Sequence, residues 1–252
     1  MENWSSNRIL AGSHADWQVR LADTLKPLSD WSNALHDIVK KVMDGTQLSL
    51  DDGVRLYEHP DLHEVGRLAH HVRTARFGTH AYFNSNVHIN QTNVCVLACR
   101  FCAFRRGPKA TDAYSMGIQE YISDLERYAP HVDEVHSVGG LHPDWDVSHY
   151  ESLFKRVREE FPHVAIKALT AVEIKHLGQL SSIPTKEVLS RLHAAGLTSL
   201  PGGGAEILDD EVRAIICNGK ESSEEYLRIH KEAHELGIPS NCTMLFGTIE
   251  SL

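Results

Sequence analysis

No run in this 252-residue chain approaches the ~18 consecutive apolar positions of a membrane helix. The first ten residues, MENWSSNRIL, lack the basic-then-apolar layout of a secretory signal. Positive charge is short too. Lys and Arg number 25 against 34 Asp and Glu, a formal net charge of −9. The closest thing to a basic run, Arg105-Arg106 with Lys109, is too small for a nucleic-acid footprint. Neither nucleic acid nor membrane is expected as a partner. There is no repeat of fixed period and no low-complexity tract. Cysteine is scarce and odd in number: of five, Cys95, Cys99 and Cys102 crowd into eight residues, leaving Cys217 and Cys242 apart. That excludes a disulfide framework and favours a ligand cluster, hence a reducing, cytoplasmic setting. The 17 histidines are scattered, so most are expected on the surface.

What is present suffices for one large core or two small ones, with 42% hydrophobic residues. Residues 1–78 read as a helical arm. Leu35, Ile38, Val39 and Val42 repeat at the spacing of one helix face; Ser49 caps a helix that opens with Asp51 and Asp52; Pro60-Asp61 starts another, with Leu62, Val65, Leu68 and Val72 inward and Gly78 at its end. Across 79–252, strand-like runs at 87–90, 134–138, 164–169, 199–200 and 242–246 alternate with amphipathic helices near 117–128, 147–160, 185–195 and 223–236. Such alternation implies right-handed βαβ units, a parallel sheet and a (β/α) barrel of α/β class, whose chemistry gathers at the C-terminal ends of its strands. Only five strands can be counted, so the barrel is expected to be partial, the N-terminal part of a longer protein.

The chemistry-bearing residues fall at those strand ends. Cys95-x3-Cys99-x2-Cys102 follows the first strand, and three thiolates on one loop can hold three irons of a cubane while leaving the fourth open. A structural zinc site, making the chain a non-enzymatic binding module, would need a fourth ligand nearby, and His88 is the one candidate. Gly139-Gly140 ends the second strand, where glycine permits a tight turn or close backbone approach. Thr170 and Glu173 follow the third strand; Glu173 either binds a ligand or starts a helix. The loop Leu200–Glu206 carries three glycines without the Gly-Lys-Ser/Thr ending of a phosphate loop. Its one charge, Glu206, either faces the active site or sits on a helix start. His142 suits a substrate contact or proton donor because histidine titrates near neutrality. His88 and Asn90 alternate on the first strand and so share a face.

CVLACRFC resembles the CxxxCxΦC signature of the radical S-adenosylmethionine superfamily, with Phe101 as its aromatic residue. The resemblance implies a TIM-type barrel and a 4Fe–4S cluster on Cys95, Cys99 and Cys102. It also implies S-adenosylmethionine on the open iron and a reducing donor such as flavodoxin or ferredoxin. Phe101, Gly139, Gly140 and Gly203 would then bind the cofactor, with Leu141 standing where the superfamily's second motif carries an acid. TMLFGTIE resembles the strand-five motif, matching it at Gly247 and Glu250. By the same resemblance, Thr170 and Glu173 join the cofactor set.

Within the superfamily, VHINQTNVC, VGGLHPD, KALTAVEI and LPGGGAEI resemble the aminofutalosine synthase family. That likeness implies a menaquinone-pathway reaction with S-adenosylmethionine as co-substrate. The deoxyadenosyl radical would add to 3-(1-carboxyvinyloxy)benzoate to form 6-amino-6-deoxyfutalosine. His142 and Glu206 are the candidate catalytic residues, and His88, Asn90 and Arg105 the candidate contacts to the dicarboxylate. Dehypoxanthine futalosine cyclase and the deazaflavin-forming synthases are the neighbouring alternatives.

Overall fold

In the computed structural model the described residues are 13–251; the N-terminal decapeptide read above lies outside them. The chain divides into two compact units, the boundary along the sequence falling between Tyr82 and Phe83.

The first unit is helical: α1 (Trp17–Thr24), α2 (His36–Met43), α3 (Leu50–Tyr57) and α4 (Leu62–Phe77), with short 3-10 turns at Leu28–Asp30 and Asn33–Leu35. Its core joins Trp17, Leu21, Trp31, Leu35, Ile38, Val39 and Leu68. Ser49 caps α3 in a reciprocal capping box with Asp52, and the buried Asp52 carboxylate also receives Lys41 Nζ at 2.7 Å. Asp61 caps α4, and Gly78 stops it at a φ of +62°. One expectation fails. Leu62 is exposed, because it occupies the first helical position, ahead of the turn that packs.

The second unit is built on four parallel strands in the order β1-β2-β3-β4: β1 (Asn86–His88), β2 (Glu134–Ser137), β3 (Ala165–Ala168) and β4 (Leu197–Ser199). Six helices connect and cover them: α5 (Ile118–Glu126), α6 (Val147–Glu160), α7 (Ala171–Ser181), α8 (Thr185–Ala195), α9 (Asp210–Ile216) and α10 (Ser223–Glu235). Val135, Ile166, Ala168 and Leu197 point from the strands into one core with Leu125, Phe154, Leu177, Leu189 and Ile229 of the helices. Consecutive parallel strands joined by helices form an open α/β sheet of TIM type. Helix α7 was not read from the sequence, and its start shows why. Ala171 to Ile174 of α7 are all buried, so that segment has no polar face to read.

The predicted fifth strand does not form. Pairing with β4 ends at Leu200, which bonds Pro239 and Asn241 through its backbone and bridges Ser240. Beyond that point β4 gives way to the Gly202–Gly204 loop and offers no ladder. Residues 242–249 therefore run irregular and largely exposed, Met244 and Phe246 among them. No helix of the described residues is long and apolar enough to cross a membrane.

Candidate active site

The loop after β1 is closed at a neck. Val94 bridges Arg106, Cys95 N–H donates to the Arg106 carbonyl at 3.0 Å, and Arg106 N–H donates to the Asn93 carbonyl at 2.7 Å. Asn93 and Thr92 pin the neck from below: Asn93 Oδ1 accepts from Tyr114 N–H at 2.8 Å, and Thr92 Oγ1 donates to the Tyr114 carbonyl at 2.8 Å. Arg106 pairs with Asp112 at 2.6 Å while its other donors reach the carbonyls of Ala103 and Arg105. Cys99 and Cys102 share a turn in which Cys102 N–H donates to Cys99 O at 3.2 Å. All three cysteines are half-buried.

Gly139 and Gly140 press against this neck. A Cβ on Gly140 would stand 2.2 Å from the Val94 carbonyl oxygen, and one on Gly139 would stand 2.7 Å from Gln91 Nε2. Gly140 N–H donates to Thr92 O at 2.9 Å, and Val96 N–H donates to Leu141 O at 3.1 Å. The pair thus lets the end of β2 seat the cysteine loop by backbone contact, as close approach requires.

Thr170 and Glu173 stand together at the start of α7. Both the Thr170 N–H, at 2.7 Å, and its hydroxyl, at 2.8 Å, donate to Glu173 Oε2. Glu173 Oε1 accepts from Gly139 N–H at 3.0 Å. The carboxylate is buried and engaged on both oxygens, so it turns into the protein, tying the end of β3 to the end of β2. Burial pushes its pKa up to about 7, against the three donors. The preceding Leu169 takes a φ of +61°, unusual outside glycine.

On the other side of the cysteine loop, Arg100 N–H donates to Ile216 O at 2.8 Å, docking the tip on the end of α9. There Lys220 pairs with Glu206 at 2.6 Å and lies 5.7 Å from the centre of the Phe101 ring. Glu206 is thereby brought to the cysteine loop, with its own φ at +47°. Burial pushes the Cys99 thiol up to about 11; Lys220 opposes that rise, and Cys217, Cys102 and Cys95 add to it. Lys220 escaped the sequence reading, although the Asn218-Gly219 turn before it was a signal. So did Arg213, whose buried guanidinium donates to the carbonyls of Gly204, Ala205, Ile207 and Glu221 and so shapes the glycine loop. Nothing in the sequence marks Arg213 apart from other helical arginines. A Cβ on Gly203 would reach 3.0 Å from Thr170 Cγ2, and Gly202 lies against residues 242–243.

The remaining residues fall elsewhere. Gly247 and Glu250 sit in the exposed terminal segment, where Glu250 accepts from the backbone N–H groups of Gly247, Thr248 and Ile249. His142 is stacked on Trp145, ring centres 4.3 Å apart, with Nδ1 accepting from Asp144 N–H at 3.2 Å. Burial lowers its pKa. Asn90 Oδ1 accepts from Val138 N–H at 3.3 Å, latching β1 to β2, while His88 stacks on His136. Cys217 is buried and Cys242 exposed.

Two observations bear on whether this loop suits an iron–sulfur cluster. The donor set is three thiols on one loop that influence one another electrostatically. In the same loop, Arg105 Nε is buried with no partner, a donor free for an anionic ligand. Among the described residues no group of three His, Cys, Asp or Glu side chains is gathered as one metal ion would require. The three-thiol donor set and the unpartnered Arg105 Nε are what fit the cluster and an anionic ligand beside it.

A parallel α/β sheet with a three-cysteine loop at the end of its first strand defines a class of barrel enzyme that works at its strand ends. Residues 89–251 match the family described as the Radical SAM superfamily, and the chain belongs to it. That family implies a 4Fe–4S cluster and S-adenosylmethionine. Among curated relatives, the aminodeoxyfutalosine synthase of Thermus thermophilus is 44% identical over 216 residues, covering 85% of this chain and 58% of its own. The enzyme of that name from Streptomyces coelicolor is 42% identical over 215 residues, covering 85% of this chain and 56% of its own. The chain thus spans somewhat more than half the length of these relatives. In fold it is similar to HydG, a maturase of the FeFe-hydrogenase, with a TM-score of 0.63 and 16% identity over 92% of this chain and 50% of that one.

Proposed function

We propose that the chain carries the radical-initiating half of an aminodeoxyfutalosine synthase. Cys95, Cys99 and Cys102 would hold the 4Fe–4S cluster, and S-adenosylmethionine would serve as co-substrate. When bound, the pair supplies a 5′-deoxyadenosyl radical. The observation that carries the reading is the cysteine loop seated on Gly139-Gly140 in a chain 44% identical to one such synthase.

The protein's own residues supply position. Arg106 and Asn93 hold the neck of the loop, and Gly140 fixes its height over β2. Glu173 holds the Gly139 backbone so that the carbonyls of the glycine pair stay available to an ammonium group. Phe101 offers a flat face to the cofactor, and Lys220 with Glu206 sets the local charge beside it. Arg105, with its unpartnered Nε, is the nearest candidate in the loop for a substrate or cofactor carboxylate. The electron comes from a small reducing donor such as a flavodoxin or ferredoxin, the substrate being an enol-ether benzoate.

The test is an anaerobic assay of the reconstituted chain with S-adenosylmethionine, a reductant and 3-(1-carboxyvinyloxy)benzoate. A product with adenosine covalently joined to the benzoate, and methionine released with it, is the expected outcome. Free 5′-deoxyadenosine as the main product, with a hydrogen-abstraction product from a dehypoxanthine futalosine substrate, would instead favour the cyclase. Absence of thiolate-to-iron absorption near ~400 nm after reconstitution would defeat both.

A further inference from the structure

One face of the sheet in the second unit is packed by helices; the opposite face carries an unusual row. His88 of β1 is in register with His136 of β2, and His136 with Lys167 of β3. Their neighbours one step along, Val87, Val135, Ile166 and Ala168, belong to the core, so the row points away from it. The two imidazoles lie with centres 4.3 Å apart and planes tilted by 36°. No hydrogen bond engages a ring nitrogen of either among the described residues. Lys167 has one ionic neighbour, Glu134, at a loose 4.0 Å, and Glu134 is also held by Asn84 Nδ2 at 3.1 Å. Ser199 of β4 continues the same level beyond Lys167.

We propose that His88, His136 and Lys167 form a binding row for an aryl carboxylate. An aromatic ring finds a flat, polarizable partner in the imidazole pair, and a carboxylate finds an ammonium with spare donors beside it. Burial, with His88 and Lys167 adding to it, holds His136 down at about 4, so its ring is neutral at pH 7. Glu134 stands two residues earlier on β2, where it repels an anion from sliding toward the N-terminal ends of the strands. His136 precedes Gly139, and Lys167 precedes Thr170, by three residues, about 10 Å of strand. A ligand held here would lie below the strand ends that carry the cysteine loop and the glycine pair. The row rests on the proposed function only for its natural occupant, the benzoate end of the enol ether. Lys167 and His136 would act there as substrate-holding groups.

The test uses isophthalate, benzene-1,3-dicarboxylate, as the probe, added to the full chain labelled with 13C-histidine. Signals are assigned by comparison with His88→Gln and His136→Gln, and affinity is read by calorimetry. Isophthalate is expected to shift the His88 and His136 resonances saturably, while acetate at the same concentration shifts neither. Lys167→Gln should weaken binding by about ten-fold or more, and Lys167→Arg should retain it within about three-fold. Near-UV circular dichroism of each variant establishes that the fold is kept. Equal affinity of Lys167→Gln and the parent chain, or saturable binding that leaves both histidine signals unmoved, would overturn the proposal. The two readings separate cleanly. If isophthalate binds at the row while no adenosyl-benzoate product forms, the proposed function fails and the row stands. If product forms while Lys167→Gln alters neither KM nor isophthalate affinity, the row fails and the function stands.

Discussion

Gly140 and Val94 approach so closely that a single methyl group cannot be placed between them: a Cβ at 140 would lie 2.2 Å from the Val94 carbonyl oxygen and 3.0 Å from Cys95 Cβ. The end of β2 therefore sets the position of Cys95 through backbone contact alone. Gly140→Ala must push the neck of the loop outward, because the obstacle is backbone. Gly139→Ala meets the end of the Gln91 side chain, 2.7 Å away, and the Thr92 carbonyl only at 3.3 Å, so its main obstacle is a side-chain end, though one held by Tyr150 and Ser137. We expect Gly140→Ala to cost about 1–3 kcal/mol, as overpacking does, and to lose most of its iron and sulfide after reconstitution. Gly139→Ala should retain more of both. Iron and sulfide analysis beside urea unfolding checks this; equal cluster content in the two variants would sink it.

Glu173 makes a second prediction, through pH. Its folded pKa stands at about 7, raised by burial above the ordinary glutamate value of 4.5. A carboxyl whose pKa rises on folding holds its proton more tightly when folded, so its contribution is greatest below about 4.5 and declines as pH rises toward 7. Glu173→Gln should flatten that part of the stability profile. It should also destabilise the protein by about 1–3 kcal/mol at neutral pH, because an amide cannot accept at both ends and one buried donor loses its partner. Denaturant midpoints at pH 5 and 7.5 for both proteins are the measurement. An unchanged slope between them would show that Glu173 does not titrate in this range.

These two residues show how far the sequence could be read. The cysteine spacing and the glycine pair were legible because each imposes a chemical or steric demand that few residues meet. Four of five strands were legible as short apolar runs, the fourth set two residues late at 199–200 where β4 runs Leu197–Ser199, and α5, α6, α8 and α10 were legible from their amphipathic spacing. The fifth was not, because a strand needs a partner: the sequence at 242–246 has strand character, but β4 supplies pairing only as far as Leu200. Glu173 could be read equally as ligand or helix start; its three bonds, which cap α7 and tie it to Gly139, depend on tertiary contact that the sequence does not display. The row of His136 and Lys167 lay in plain view as polar positions alternating with Val135 and Ile166. Its meaning depended on register, which no local pattern encodes.

The Lys220–Glu206 pair predicts a redox effect. Burial alone would lower the Lys220 pKa, but Glu206 beside it keeps it above its ordinary value, so the ammonium stays charged next to Cys99 and Phe101. Reduction adds negative charge to a cluster on that loop. Removing the cation should make reduction harder, and removing the anion should make it easier. For Lys220→Met we expect a reduction potential lower by an amount on the order of tens of millivolts, and for Glu206→Gln a shift of opposite sign. Anaerobic redox titration followed by electron paramagnetic resonance reads both. Shifts of the same sign would mean that the substitutions act by loosening the loop and not by charge.

Trp145 offers a spectroscopic report from the same unit. Its indole lies between His142, at 4.3 Å and 15°, and His149, at 4.1 Å and 12°, in a three-ring stack. Burial lowers the pKa of both histidines; for His149 the neighbouring His142 adds to the effect, while Asp144 and Asp146 oppose it. Bases whose pKa falls on folding bind fewer protons folded than unfolded. The stability tied to them is thus complete above the ordinary histidine value of 6.5 and declines as pH drops through the lowered values. An imidazolium formed against the indole also quenches its emission. The Trp145 contribution, isolated by subtracting the spectrum of Trp145→Phe, should therefore dim as pH falls below 6.5 and recover on return. Replacing both His142 and His149 by Gln should abolish the dimming while leaving emission at pH 8 near its starting value. If the double variant dims as the parent does, the quenching group lies outside the stack, and the low-pH loss of stability must be assigned to another titrating site.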